Sequence, residues 1–259
     1  MWRMSDPGLT VFTPRDKLLA YAVHTYTAMG LLCGALIAAD ILQQNYRRAF
    51  VWMIVAVLID ATDGTFARKF RVKDVVPHID GRKLDDIVDY VNYTFLPLLM
   101  IGSADWLPSP AWLWASVPLV ASVFAFVHTG AKEETNGFFL GFPSYWNVFA
   151  FYTAVWLSEF GHGIVLATAL VLSGLSVLPL RFVYPNRAPR WRKSFVVGAL
   201  AWLAIIAAIL WYYPQRPVPA ALLWISAVYP VLYVVASLYL DRRLREGESP
   251  REESTRFTR

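Results

Sequence analysis

The chain of 259 residues is 57% hydrophobic, 15% aromatic and only 17% charged, with a formal charge of +5. That composition argues against an ordinary soluble domain and for several membrane-crossing helices. The single cysteine, Cys33, rules out a disulfide within the chain, so the cysteines say nothing about compartment.

Residues 1–17 are polar, and Thr13-Pro14-Arg15-Asp16 has the form of a helix start, a capping hydroxyl followed by proline at the first helical position. The expectation is a cytoplasmic surface segment with a short helix lying on the membrane, without a removable signal peptide. Apolar segments follow at 18–40, 49–69, 84–104, 111–130, 144–159, 162–182, 195–213 and 218–240. Each is near the length of about 20 residues that crosses the hydrocarbon, the fifth being the shortest. This predicts an all-α, multi-pass bundle of about eight spans, with Pro97, Pro118 and Pro230 kinking their helices. The division read from the chain is a surface segment 1–17, a membrane core 18–182, two additional spans within 183–240, and a tail 241–259, disordered from Glu246.

Orientation follows from the basic residues. With the N-terminus inside, only Arg47, Arg48 and Arg216 of the 24 Lys and Arg fall outside. An even number of spans with both termini cytoplasmic is therefore expected. Lys69, Arg71 and Lys73 would face anionic lipid headgroups, and the segment Arg187 to Lys193 would be an orienting loop. Nucleic acid is not needed to explain the positive charge.

The chemistry concentrates in Asp60-x2-Asp63-Gly64-x2-Ala67-Arg68-x12-Gly81-x3-Asp85-x3-Asp89, at the cytoplasmic ends of the second and third spans. An aspartate at mid-membrane costs about 2.5–3.5 kcal/mol on insertion scales, so a cluster of four implies a bound partner. Spacings of three and four place each pair on one helix face. Two such faces meeting would form a cage of carboxylate oxygens suited to a hard divalent ion. Gly64, Ala67 and Gly81 leave room for a ligand, and Arg68 offers a fixed charge to phosphate. These parts point to metal-dependent chemistry on a phosphorylated substrate. Two other readings stand beside it: a structural ion-pair network with Arg68, Lys69 and Lys83, and a transport pathway. The chain has no repeated, interrupted spans of the transporter type, and the acidic groups sit at one face only.

With all eight fixed positions present, the chain resembles the CDP-alcohol phosphatidyltransferases, whose pattern is D-x2-D-G-x2-A-R, a gap, then G-x3-D-x3-D. The resemblance implies a six-helix membrane core, a homodimer in the bacterial inner membrane, and two divalent ions, Mn2+ or Mg2+. It implies transfer of a phosphatidyl group from CDP-diacylglycerol to an alcohol, with release of CMP. The twelve-residue gap, the span count and the segment Phe138 to Trp146 look like the bacterial branch whose acceptor is choline; serine, glycerol 3-phosphate and inositol phosphate are the alternatives. Carried over by motif position, Asp60, Asp63, Asp85 and Asp89 are metal-associated and Asp89 is the general base. Asp60, Asp63, Gly64, Ala67, Arg68 and Gly81 take the cytidine nucleotide, and Asp86 stays outside the metal set.

A choline site needs aromatic faces and a carboxylate for its quaternary ammonium. Tyr26, Tyr93, Tyr145, Trp146 and Glu133 are the candidates, with Tyr90 and Glu134 nearby. Aromatic residues in such chains also anchor at interfaces or pack between helices. His24 and His128 read as buried, hydrogen-bonded histidines.

Overall fold

In the computed structural model, which describes residues 12–128, 132–133, 137–183 and 192–245, the first helix starts at the predicted cap. Thr13 Oγ1 accepts the Asp16 N–H at 3.2 Å, and the Asp16 carboxylate accepts the Thr13 N–H at 2.8 Å. From there α1 (Pro14–Leu42) runs for 29 residues without a break. The short helix expected at the membrane surface is thus the first turns of the span itself, a rod of about 44 Å. Nothing interrupts it because proline occurs only at its first position, where no hydrogen bond is lost. Residues 1–11, residues 184–191 with most of the expected orienting loop (Arg187 to Lys193), and the tail from Glu246 onward lie outside the described residues, as do Glu134 and the side chains of Lys132, Glu133 and Arg192.

The second helix, α2 (Tyr46–Lys69), returns alongside α1. Asn45 caps it, its side chain accepting the Arg48 N–H at 3.3 Å. At this turn the fully buried Asp40 pairs with Arg48 at 3.0 Å, so one of the few basic residues at this end neutralises a buried carboxylate. After the short α3 (Val72–Val75) comes a single rod made of α4 (Gly81–Asp89), a π-helical turn (Tyr90–Phe95) and α5 (Leu96–Ser103). Pro97 explains the wide turn: it has no N–H to donate, and the ring crowds the preceding turn. The Leu96 N–H reaches back five residues to the Val91 carbonyl instead.

The remaining helices are α6 (Ala111–Val127), α7 (Trp146–Val155), α8 (His162–Val177), α9 (Arg192–Tyr212) and α10 (Ala220–Arg245), with a 3-10 turn at Leu157–Phe160. Among the described residues, four helices are long and apolar enough to cross a membrane: α1, α2, Lys193–Tyr212 and Ala220–Arg243. Two more, α6 and α8, are apolar but shorter. Large apolar side chains such as Leu42, Trp211 and Val171 face outward, as expected where lipid replaces water.

One feature departs from the all-α expectation. Three short strands, β1 (Lys132–Glu133), β2 (Phe138–Leu140) and β3 (Arg181–Val183), pair antiparallel in the order β1-β2-β3. Two or three residues are too few to show an alternating pattern in sequence. The last helix covers the free edge: Ser237 Oγ accepts the Val183 N–H at 3.1 Å, and the Tyr233 hydroxyl donates to the Val183 carbonyl at 2.8 Å. An uncovered edge in an apolar setting would leave those groups unpaired.

Two apolar clusters bracket a polar zone along α1. Ile37 and Ile41 join Phe50, Met53, Leu98, Met100, Trp146 and Ile209 in the main core. Ala20 and Val23 join Val72, Val75 and Val76 in a smaller one. Thr27, between the two, faces the aspartates.

Candidate active site

The four aspartates come from two helices that pack against the same partner, α1. The last turns of α2 carry Asp60 and Asp63, and α4 carries Asp85 and Asp89. Asp60, Asp85 and Asp89 each present a carboxylate oxygen, and these oxygens lie within 4.8 Å of one another. None of the three is buried. Two like charges at that range repel by about 3 kcal/mol at an effective dielectric near 20. Three in one place are therefore a strong attractor for a hard divalent cation, whose ligands are oxygens of this kind. The donor set fits such an ion.

Asp63 is placed differently. It is 7% exposed, and its Oδ2 accepts a hydrogen bond from Thr27 Oγ1 at 2.8 Å. It lies one turn after Asp60 on α2 with one oxygen turned to α1. Asp86 is not among the three converging carboxylates.

The small residues of the pattern have distinct jobs. A β-carbon on Gly64 would come 3.3 Å from Arg68 Nη1, because the Arg68 side chain folds back along its own helix and donates to Thr65 Oγ1 at 3.2 Å. A β-carbon on Gly81 would come 3.0 Å from the ring of His24, so this glycine lets α4 start against α1. Ala67 packs on the smaller apolar cluster. Asp80 caps α4, its Oδ1 accepting from the N–H of Arg82 at 3.1 Å and of Lys83 at 3.2 Å. The bond from Lys83 N–H, with the nearby lysine and arginine charges and the Arg82 N–H, holds the Asp80 carboxyl below its usual range despite some desolvation.

The aromatic candidates separate. Tyr93, on the π-helical turn, has its hydroxyl within electrostatic reach of Asp60, Asp89, Asp85 and Asp63. Tyr26 pairs its hydroxyl with Thr62 Oγ1 at 2.9 Å and stacks edge-on with Phe66. Tyr145 packs between Phe142 and Tyr233. Trp146 is fully enclosed, its indole N–H donating to Ser122 Oγ at 2.7 Å, which makes it a core residue. Glu133 lies on β1.

Several contributors were not read from the sequence. Thr27 orients Asp63. Asn92 is fully buried and donates to the Gly30 carbonyl at 2.9 Å, tying the π-helical turn to α1. The pair Gly30 and Gly34, four apart on α1, was the available signal for that close approach. His24 differs from its expectation: its Nε2 is enclosed without a hydrogen-bond partner among the described residues, while the other side of its ring lies on Gly81. His128 is exposed at the end of α6.

A helical membrane protein with a carboxylate cluster carried by two helices on one packing partner defines a class, and the comparisons place the chain within it. A sequence profile of the CDP-alcohol phosphatidyltransferases matches residues 24–141. A phosphatidylcholine synthase of Pseudomonas aeruginosa is 34% identical over 217 residues, covering 83% of this chain and 90% of its own length. One of Borreliella burgdorferi is 30% identical over 232 residues, covering 89% and 97%. One of Legionella pneumophila is 34% identical over 202 residues, covering 75% and 76%. The chain belongs to the CDP-alcohol phosphatidyltransferase family, and is thereby an enzyme of phosphatidyl transfer to an alcohol.

Proposed function

We propose that the protein transfers the phosphatidyl group of CDP-diacylglycerol to choline, giving phosphatidylcholine and CMP. The observation that carries this is the convergence of Asp60, Asp85 and Asp89 oxygens within 4.8 Å, on the motif of a family that acts on CDP-linked lipids. The names of the similar proteins from Pseudomonas, Borreliella and Legionella support choline as acceptor.

In this reading Asp60, Asp63, Asp85 and Asp89 hold two divalent ions, Mn2+ or Mg2+. When bound, such ions supply Lewis-acid polarisation of the phosphate and neutralise its charge. Thr27 fixes one oxygen of Asp63 against α1, which leaves the other for an ion. Asp60 and Asp63, with Gly64, Ala67, Arg68 and Gly81, receive the cytidine nucleotide. Asp89 takes the proton of the choline hydroxyl. The freed oxygen forms a bond to the phosphorus attached to diacylglycerol, and the phosphorus–oxygen bond to CMP breaks with its electron pair leaving on CMP. Tyr26, Tyr93, Tyr145 and Glu133 are the groups proposed around the ammonium; the enclosed Trp146 is left out.

The finer architecture belongs to the same proposal: eight spans in the bacterial inner membrane, a six-helix core within 18–182, two further spans in 183–240, both termini cytoplasmic, and a homodimer. The asymmetry of the basic residues supports the orientation. Lys69 and Arg71 line a cavity of about 310 Å³ with Phe12, Asp16, Leu19, Phe70 and Val75, a place for an anionic headgroup at the membrane face.

The test is detergent-solubilised protein with CDP-diacylglycerol, Mn2+ and each alcohol in turn, read as CMP release and lipid mass. Phosphatidylcholine from choline alone is expected. CMP release with serine, glycerol 3-phosphate or an inositol phosphate in place of choline would overturn the acceptor and keep the reaction. No CMP with any acceptor, from folded protein, would overturn both.

A further inference from the structure

We infer that the hydroxyl of Tyr93 holds the oxygen of the bound acceptor alcohol against Asp89, so that Tyr93 acts through its O–H as well as its ring; this rests on the reaction proposed above. Tyr93 lies four residues after Asp89, on the π-helical turn that follows α4. Side chains on a helix lean toward its N-terminus, which carries the Tyr93 ring back toward Asp89 and Asp85. Its hydroxyl feels the charge of all four aspartates. The oxygen is enclosed, yet no group among the described residues hydrogen-bonds it. A buried hydroxyl without a partner is uncommon, and one facing a reactive cluster is explained by a ligand that completes it.

The turn that presents Tyr93 is held firmly. Asn92, the preceding residue, is fully buried and donates to the Gly30 carbonyl at 2.9 Å. Rotation of the π-helical turn would break that bond, so the direction of the phenol is set by α1.

The chemistry identifies the partner atom. An alcohol oxygen has one proton and two lone pairs. In the proposed step the proton goes to Asp89 and one lone pair goes to phosphorus. A lone pair is left to accept a hydrogen bond, and the Tyr93 O–H, one turn along from the base, is the donor we assign to it. It places the oxygen before attack and stabilises the charge that grows on it as the proton leaves. No proton leaves the tyrosine.

The experiment compares wild-type protein with Tyr93→Phe, which keeps the ring and removes only the hydroxyl. The expected result is a loss of at least about tenfold in kcat/KM for choline. The KM for CDP-diacylglycerol and the Mn2+ concentration for half activity stay within about twofold of wild type. The melting temperature in detergent stays level or rises, because the protein loses a buried hydroxyl that has no partner among the described residues. Unchanged kcat/KM would overturn the inference. So would a lowered melting temperature accompanying the loss, or a loss confined to CDP-diacylglycerol or Mn2+, since each places the hydroxyl elsewhere. Failure of the reaction itself shows in the wild type, which then makes no phosphatidylcholine; failure of the tyrosine's role shows only in the variant.

Discussion

Asp63 and Asp60 differ by one helical turn yet end in different settings, and the difference is a single threonine. Thr27 gives Asp63 a hydrogen bond inside the protein, whereas Asp60 joins the open group with Asp85 and Asp89. Thr27→Val should leave a buried carboxylate oxygen without that donor and cost about 1–3 kcal/mol, read as a lowered melting temperature, while Thr27→Ser retains most of it. A Thr27→Val protein as stable as wild type would show that the bond does not matter. For Asp89, replacement by Asn keeps shape and removes basicity. Transfer should fall by about 10²–10⁴ with CDP-diacylglycerol still bound, measured by CMP release and by lipid-substrate titration. The aspartates were legible in the sequence because their spacing repeats the helical period. Thr27 was not: a threonine in an apolar helix reads as packing until its partner helix is known. Trp146 misled in the opposite direction, since its place in the chain does not reveal that Ser122 and Phe142 enclose it.

Helix contacts decide where those side chains point. Val88 lies over Gly30 and Asn92 over Gly34, so side chains of the α4 rod pack directly on the backbone of α1. Gly30→Ala would put its β-carbon into Val88 Cγ1 and push the helices apart. The expected cost is about 1–3 kcal/mol with reduced CMP release, because Thr27 and the α4 aspartates then move relative to each other. At the start of α4, the Asp80 cap ties the position of Asp85 to a loop residue. Its lowered pKa means that the carboxylate cap stabilises fully above the unfolded value of about 3.9 and fades as pH falls through the lower folded value. The gap in melting temperature between wild type and Asp80→Ala should therefore narrow toward acid; a gap independent of pH would show that the charge has no part in the cap. The helix ends at Thr13 and the apolar runs of α1 and α2 could be read directly. The π-helical turn could not, because it is a response to Pro97 and to the fit of Asn92 against α1.

Over the whole molecule, a cluster of like charges within a largely apolar chain is relieved of its mutual repulsion by a bound counterion. EDTA should stop the reaction, and Mn2+ or Mg2+ should restore it, with helix content by circular dichroism unchanged throughout. Full activity in EDTA would refute the metal-bound site. The apolar segments, the aspartate pattern and the grouping of basic residues between apolar segments were determined by the sequence alone. They are local properties: hydropathy sets what faces lipid, and a period of 3.6 sets which residues share a helix face. Only the tertiary structure decided that Asp60, Asp85 and Asp89 meet while Asp63 leans on Thr27. It also decided that Trp146 is core, that Tyr93 presents an unmatched hydroxyl, and that three short strands are closed off by α10. Each depends on how far one helix is rotated and how closely it approaches the next. That is set by the side chains of both partners, which lie far apart in the chain.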